Sequence, residues 1–190
     1  MKPLRIRLMR HEDIDDWIRL YADEAVQRNN SHDAALIPAE DLRAMNEQWL
    51  DSQWHERLMY RVDTGKGELV GFTRLSLIDW RSQTCDMGIM LLPRHRRRLG
   101  LLAAFAMYDY IYDTLNLRVV LHQVMSGVEM MLAGDRVRSL AQATSPDHCY
   151  VTGEFRTCYW WAQTKADHEA VRQRNTERGA RVRQRLGREA

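Results

Sequence analysis

One stretch of this chain has an order of residue types suited to holding a charged ligand: Asp86-Met-Gly-Ile-Met-Leu-Leu-Pro93-Arg-His-Arg-Arg-Arg-Leu-Gly100. An apolar strand-like run ends at a proline, arginines and a glycine follow, and an amphipathic helical pattern begins at once. The first amides of a helix lack carbonyl partners and carry partial positive charge. A helix start beside a cationic turn is therefore a seat for a pyrophosphate, and a nucleotide-like ligand is the chemistry expected there. The competing reading is a basic surface turn before an ordinary helix, because a lone glycine specifies little. The strand before the turn and the helix after it favour the first reading.

Those residues need elements to position them. Leu4-Arg-Ile-Arg-Leu8 alternates with the period of a half-buried strand. A helix is expected from His11, with acidic residues in its first turn and Ile14, Trp17, Ile18, Tyr21 and Ala25 on one face. A second runs from Pro38 to about Leu50. Residues 57–62 and 68–78 read as strands joined by the polar turn Asp63–Gly67, and Cys85–Leu92 as a third strand of the same meander. The helix expected from Gly100 to Leu115 buries Leu101, Phe105, Tyr108, Ile111, Tyr112 and Leu115. Strand 117–124, a helix from Gly127 to about Leu140, and final strands at 149–161 and 167–172 complete the expected order. That order is a mixed α/β sheet with helices on its faces.

At 190 residues the chain is expected to form one domain with a full core. Its 45% hydrophobic and 28% charged content is that of a soluble globular protein. No apolar run approaches the roughly 20 residues of a membrane span, and Met-Lys-Pro-Leu-Arg-Ile-Arg has no signal-like apolar region. No membrane association is expected, and a reducing cytoplasm is the simplest location. Cys85, Cys149 and Cys158 are too few and too scattered for a disulfide framework or a zinc site, and no metal is expected. The net charge is only +2, but residues 169–190 hold seven arginines against three glutamates. That segment reads as a basic tail (173–190) beyond a domain spanning 1–172: either a solvated, helical extension or a contact for nucleic acid.

In that order and with those residues, the chain resembles the GNAT family of acetyltransferases, and more narrowly its branch of ribosomal-protein N-terminal acetyltransferases. The likeness rests on Leu4–Val26, on Leu69-Val-Gly-Phe-Thr-Arg-Leu75, on the run from Asp86 to Leu101, and on Thr152-Gly-Glu-Phe-Arg156 followed by Trp160 to Asp167. The resemblance implies an α/β GNAT fold: a mixed, mostly antiparallel sheet of about seven strands flanked by about four helices. It implies transfer of an acetyl group from acetyl-CoA to a primary amine of a small molecule or a protein N-terminus, and a possible homodimer. The family's loop reads Arg/Gln-x-x-Gly-x-Gly/Ala. Here Gly100 stands at the first glycine and Leu102 at the second; aligned from Arg96 instead, Leu99 and Leu101 replace both.

By the same resemblance, Met90, Leu91, Leu92, Arg97, Arg98, Leu99, Gly100, Leu101 and Leu102 would hold the cofactor. Asp86 stands where family members carry a catalytic glutamate; the alternative is a salt-bridged strand carboxylate. His122 is the second candidate base, set against a hydrogen-bonded structural histidine. Tyr159 and Tyr108 are candidate proton donors for the departing thiolate, since the family's usual helix tyrosine is not visible near Asp135 and Val128 stands near the usual asparagine. Asn29, Asn30, His32 and Asp33 would face the acceptor, with Trp54, His55, Trp160 and Trp161 as walls. Two other functions stay open: acylation of a nucleic-acid amine with the tail as anchor, and a GNAT-fold binding module that has lost transfer.

Overall fold

The computed structural model describes residues 4–29, 37–128, 134–151 and 153–186. The elements follow in the order β1 (Leu4–Leu8), α1 (Ile14–Tyr21), α2 (Glu24–Gln27), α3 (Ala39–Asp51), β2 (Leu58–Thr64), β3 (Leu69–Asp79) and β4 (Thr84–Leu91). Then come α4 (Arg96–Asp109), β5 (Val119–Met125), α5 (Gly134–Leu140), β6 (Ala143–Val151), β7 (Glu154–Thr164) and α6 (Lys165–Leu186). The seven strands form one sheet in the order β1-β2-β3-β4-β5-β7-β6, and only the β4–β5 pair is parallel. This is the expected GNAT-like architecture, with six helices among the described residues rather than about four.

Two further expectations need correction. Residues 167–172 are not a strand but the first turns of α6, which runs without a break through residue 172 to Leu186. Two side chains hold it there. His168 is fully buried against Phe105, Tyr108 and Tyr112 and pairs with Asp109 at 2.7 Å, while Arg172 reaches both Asp109 and Asp113 at 2.5 Å. The single strand expected at 149–161 is a hairpin, β6 and β7, turning at Gly153. Across it the free thiols of Cys149 and Cys158 meet at 2.8 Å, so two of the three cysteines are neighbours in space.

The sheet has a helix layer on each face. Even-numbered residues of β2 and β5 and odd-numbered ones of β3 and β4 share one face, as the alternation of pleated strands requires. Leu58, Tyr60, Leu75, Cys85, Met87 and Val120 pack with Met107, Ile111 and Tyr112 on the α4 face. Met59 and Phe72, with Met90 beside them, pack with Trp17, Leu20, Leu42 and Leu50 on the face covered by α1 and α3. An ionic cluster pins the start of α1 to the sheet edge. Asp13, 2% exposed, takes both terminal nitrogens of Arg7 at 2.7 Å and one of Arg61 at 3.0 Å, and Arg61 also holds Asp16 and Asp63.

Candidate active site

β4 and β5 pair only at Thr84–Val119, Cys85–Val120 and Asp86–Leu121. Both strands then continue, to Leu91 and Met125, with no ladder between them. The sheet therefore forks just after Asp86. The fork exposes backbone that hydrogen-bonds nothing across it, and the register says which groups those are. Leu92 N–H donates to Val70 at 2.9 Å on the β3 side. Antiparallel alternation then turns the amides of Met90 and Gly88 toward β3, and those of Met87, Ile89 and Leu91 into the gap. Of the three residues around the end of β4 expected to hold the cofactor, Met90, Leu91 and Leu92, Leu91 presents its backbone to the fork. Met90 and Leu92 are committed to β3.

Asp86 lies at the crotch of the fork, on the α1/α3 face. It is half-buried, accepts a hydrogen bond from Ser76 Oγ at 3.1 Å, and stands 4.0 Å from Arg74. Burial raises its carboxyl above the ordinary range, and Arg74 and the Ser76 bond only partly oppose that. A carboxylate tuned upward is a better proton acceptor near neutral pH. Two residues on, Gly88 has no side chain on that face, and the Arg74 guanidinium lies over it, 3.6 Å from where a Cβ would be. Trp160 lies on this face too, opposite Gln123, with His148 edge-on to it at 4.9 Å. Asn29 donates to Ala25 at 2.9 Å, and the carbonyl of its neighbour Arg28 takes Arg156 from β7 at 2.8 Å. The start of the acceptor loop is thus tied over the closing hairpin. Asn30 and His32 lie outside the described residues, as does Asp33.

His122 and Tyr159 are on the opposite face. His122 is 6% exposed, stacks on Trp161 at 4.8 Å, and bonds Gln163 Oε1 at 3.1 Å and Tyr108 Oη at 3.4 Å. Burial pushes its imidazole down to about 4, so it is neutral at pH 7. The structure therefore does not bring it together with Asp86. Tyr159 lines a small cavity of about 50 Å³ with Met125, Ser126, Gly127, Val128, Val137 and Arg138, at the open end of β5.

The turn after β4 also differs from expectation. Pro93–His95 is a 3-10 turn, and α4 begins at Arg96 rather than Gly100. Arg94 is paired with Glu68 at 3.0 Å. Arg96, which sequence reasoning passed over, donates to the carbonyls of Leu91 at 3.2 Å and Ala25 at 2.9 Å, closing the gap edge of β4 against α2. The side chains of Arg97 and Arg98 lie outside the described residues. Gly100 is buried, and a Cβ on it would come within 3.1 Å of Leu91 Cδ1, so its smallness brings α4 close to β4. Leu101 and Leu102 are 55% and 45% exposed, and Leu99 packs inward against the Leu91 cluster. Leu102, at the second glycine of one alignment, and Leu101, at the second of the other, therefore point into solvent, whereas Leu99, at the first glycine of the alignment from Arg96, does not. Leu101 is corrected from the buried stripe, which runs instead through Gly100, Ala103, Ala104, Met107 and Tyr108.

Sequence reading also missed Arg57, Arg74 and Ser76. Arg74 stands in the run Leu69–Leu75, but only the β3–β4 register, Arg74 opposite Gly88 and Ser76 opposite Asp86, brings it to the site. Among the described residues no group of three or more His, Cys, Asp or Glu side chains is placed to hold a metal ion. No helix among them is long and apolar enough to cross a membrane.

Solved structures share this architecture. Spermidine N-acetyltransferase from Vibrio cholerae, in complex with CoA and spermine, superposes with a TM-score of 0.74 at 11% identity, over 87% of this chain and 98% of its own. Spermidine/spermine N-acetyltransferase from the same organism, in complex with manganese ions, gives 0.69 at 14% identity over 88% and 96%. At such identities the likeness is one of fold. No curated protein matches the chain. A family model for the acetyltransferase (GNAT) domain matches residues 3–128, more than half of the sequence. With the forked sheet and the turn that ends it, that match places the chain in the GNAT family of acetyltransferases.

Proposed function

We propose that this chain is an acetyl-CoA-dependent N-acetyltransferase acting on a primary amine of a small molecule or a protein N-terminus. One observation carries the reading: the fork after Asp86, whose free amides face a gap that ends at the first turn of α4. The site fits an extended thioester on two counts. Gly88 adds no side chain at the crotch, and Leu101 and Leu102 leave the turn clear. The first amides of α4, with Arg97 and Arg98, would hold the pyrophosphate.

The acceptor amine arrives mostly protonated, with a pKa of about 10 if lysine-like. Asp86 takes that proton. The freed lone pair attacks the thioester carbonyl, and the charge developing on its oxygen falls to a gap-facing amide of Met87 or Ile89. The C–N bond forms, the nitrogen sheds its remaining surplus proton to water, the carbonyl re-forms as the C–S bond breaks, and the departing sulfur leaves as a thiol after taking a proton from a donor that water later restores. We assign that proton to Tyr159, the phenol on the cavity at the end of β5. His122, neutral and held between Tyr108 and Gln163, orders the α4 face.

Isothermal titration with acetyl-CoA tests the premise, and thiol release with a panel of amines tests the transfer. Binding with amine-dependent release is expected; no binding at millimolar ligand overturns the reading. Binding with no release from any amine would instead favour the non-catalytic module. The finer likeness to ribosomal-protein N-terminal acetyltransferases supports a peptide amine as one acceptor. Acylation of nucleic acid ranks below both. Of the seven arginines counted from residue 169 onward, Arg172 is already spent on Asp109 and Asp113.

A further inference from the structure

We infer that the acceptor is an amine that also carries an oxyanion, a carboxylate or a phosphate ester, and that Arg57 and Arg74 grip that group beside Asp86. The inference rests on the transfer reading above and names its substrate class. Its starting point is a contrast among the partly buried arginines of this chain. Arg61 holds Asp13, Asp16 and Asp63; Arg7 holds Asp13; Arg96 holds two carbonyls; Arg172 holds two aspartates. Arg57 and Arg74 have no such partner. In both, Nε is buried with no hydrogen-bond acceptor. Arg57 lies flat over the Trp49 ring at 4.1 Å, and the nearest carboxylate to Arg74 is Asp86, 4.0 Å away and already bonded to Ser76. Donors left unmet in a half-buried place cost stability unless something fills them.

The two guanidiniums share the α1/α3 face with the proposed base. Ser76 is opposite Asp86, Arg74 is opposite Gly88, and Arg57 precedes Leu58, which pairs with Leu75. Neighbouring strands lie about 4.8 Å apart, so Arg57 starts roughly 10 Å from Asp86, with Ser76 between them and Arg74 two residues along the same middle strand. An anion at the pair and an amine at Asp86 would be separated by only a few bonds. Room for the ligand is at hand. An open cavity of about 320 Å³ is lined by Ser52, His55, Glu56, Arg57 and Leu77, where a bulge with Leu77 at φ 51° lifts that side chain out of the sheet. Of these residues only Glu56 is acidic, and it is exposed. A guanidinium fork suits carboxylate and phosphate. A polyamine would instead bring its second ammonium against two fixed positive charges.

The test uses matched amines that differ in one charge: β-alanine against β-alaninamide, phosphoethanolamine against ethanolamine, with spermidine alongside. Thiol release is followed with the wild type, R57A, R74A, R57K and R74K, and CoA affinity is titrated for each. The charged member of at least one pair is expected to show a KM at least tenfold lower, and which pair does so separates carboxylate from phosphate. That preference should vanish in R57A and R74A and survive in part in the lysine variants, with CoA affinity unchanged. Equal use of charged and neutral members, preference for spermidine, or a preference that persists in both alanine variants overturns the proposal. Release with the neutral amines alone would leave the transferase intact while removing this inference; no CoA binding by the wild type would remove both. Should the alanine variants fail to fold, the lysine pair decides: an unchanged preference in both overturns it.

Discussion

His122 stands one residue past Leu121, the β5 partner of Asp86, and the pleat separates the fates of the two candidate bases. Asp86 meets the open face, where burial raises a carboxyl that still has access to a ligand. In D86N the amine must reach its free form unaided, so kcat/KM should fall about a hundredfold or more near pH 7. The loss should shrink toward pH 10, where the amine is already neutral; thiol release across pH checks both limits. The acid limb of the wild-type profile should lie above the ordinary aspartate value and disappear in D86N. His122 meets the packed face. Its folded pKa of about 4 lies below the ordinary 6.5, so between those values the unfolded chain binds a proton that the folded chain does not. Stability is full above pH 6.5 and declines as pH falls toward 4, by about 3 kcal/mol. H122Q should flatten that decline, as urea unfolding at pH 7 and pH 4.5 would show.

At the scale of elements, β4 has two edges with different tasks. Its β3 edge is a ladder, and its other edge is free past Asp86. Proline removes one N–H, so its effect depends on which edge that N–H serves. I89P should delete a gap-facing amide, leaving the melting temperature within a few degrees while acetyl-CoA turnover drops at least tenfold. M90P should delete a ladder bond to β3 and unfold the domain. Thermal melts beside thiol-release assays separate the two; equal damage from both would mean the amide alternation is misread. In α4, the start at Arg96 turns Leu102 outward, so L102A should leave CoA affinity within about twofold, as titration would show.

At the scale of the whole molecule, charge clusters lock the helix layers to the sheet. Burial opposes ionisation of Asp13, yet Arg7, the Arg10 amide and Arg61 together hold its carboxyl below the ordinary range. A depressed acid stabilises the fold above its unfolded pKa of about 4, and that contribution is lost as pH falls through the lower folded value. D13N leaves Arg61, 13% exposed, short of one of its carboxylates, and should cost about 3 kcal/mol at pH 7 while removing the steepest part of acid unfolding. Denaturant melts from pH 7 to pH 3 read both effects. On the opposite layer His168 and Arg172 anchor the first turns of α6 to α4 through Asp109.

The chain by itself determined much of this protein. Alternation in 4–8, 57–62 and 68–78, helical spacing in 11–25, and the Pro93–Gly100 order fixed the meander, the first helices and the turn after β4, because each is set by neighbours a few residues apart. It also singled out Asp86, whose position on the strand is a local property. The end of the chain was misread because Asp167 to Arg172 is polar and helical only through partners on α4, some sixty residues earlier in sequence. Which face each residue meets was decided by tertiary pairing. Register alone sends His122 and Tyr159 to the face away from Asp86, and it brings Arg74 and Arg57 to Asp86 from separate strands. Their unmet donors exist only once the sheet is assembled, since an arginine in an unfolded chain is satisfied by water.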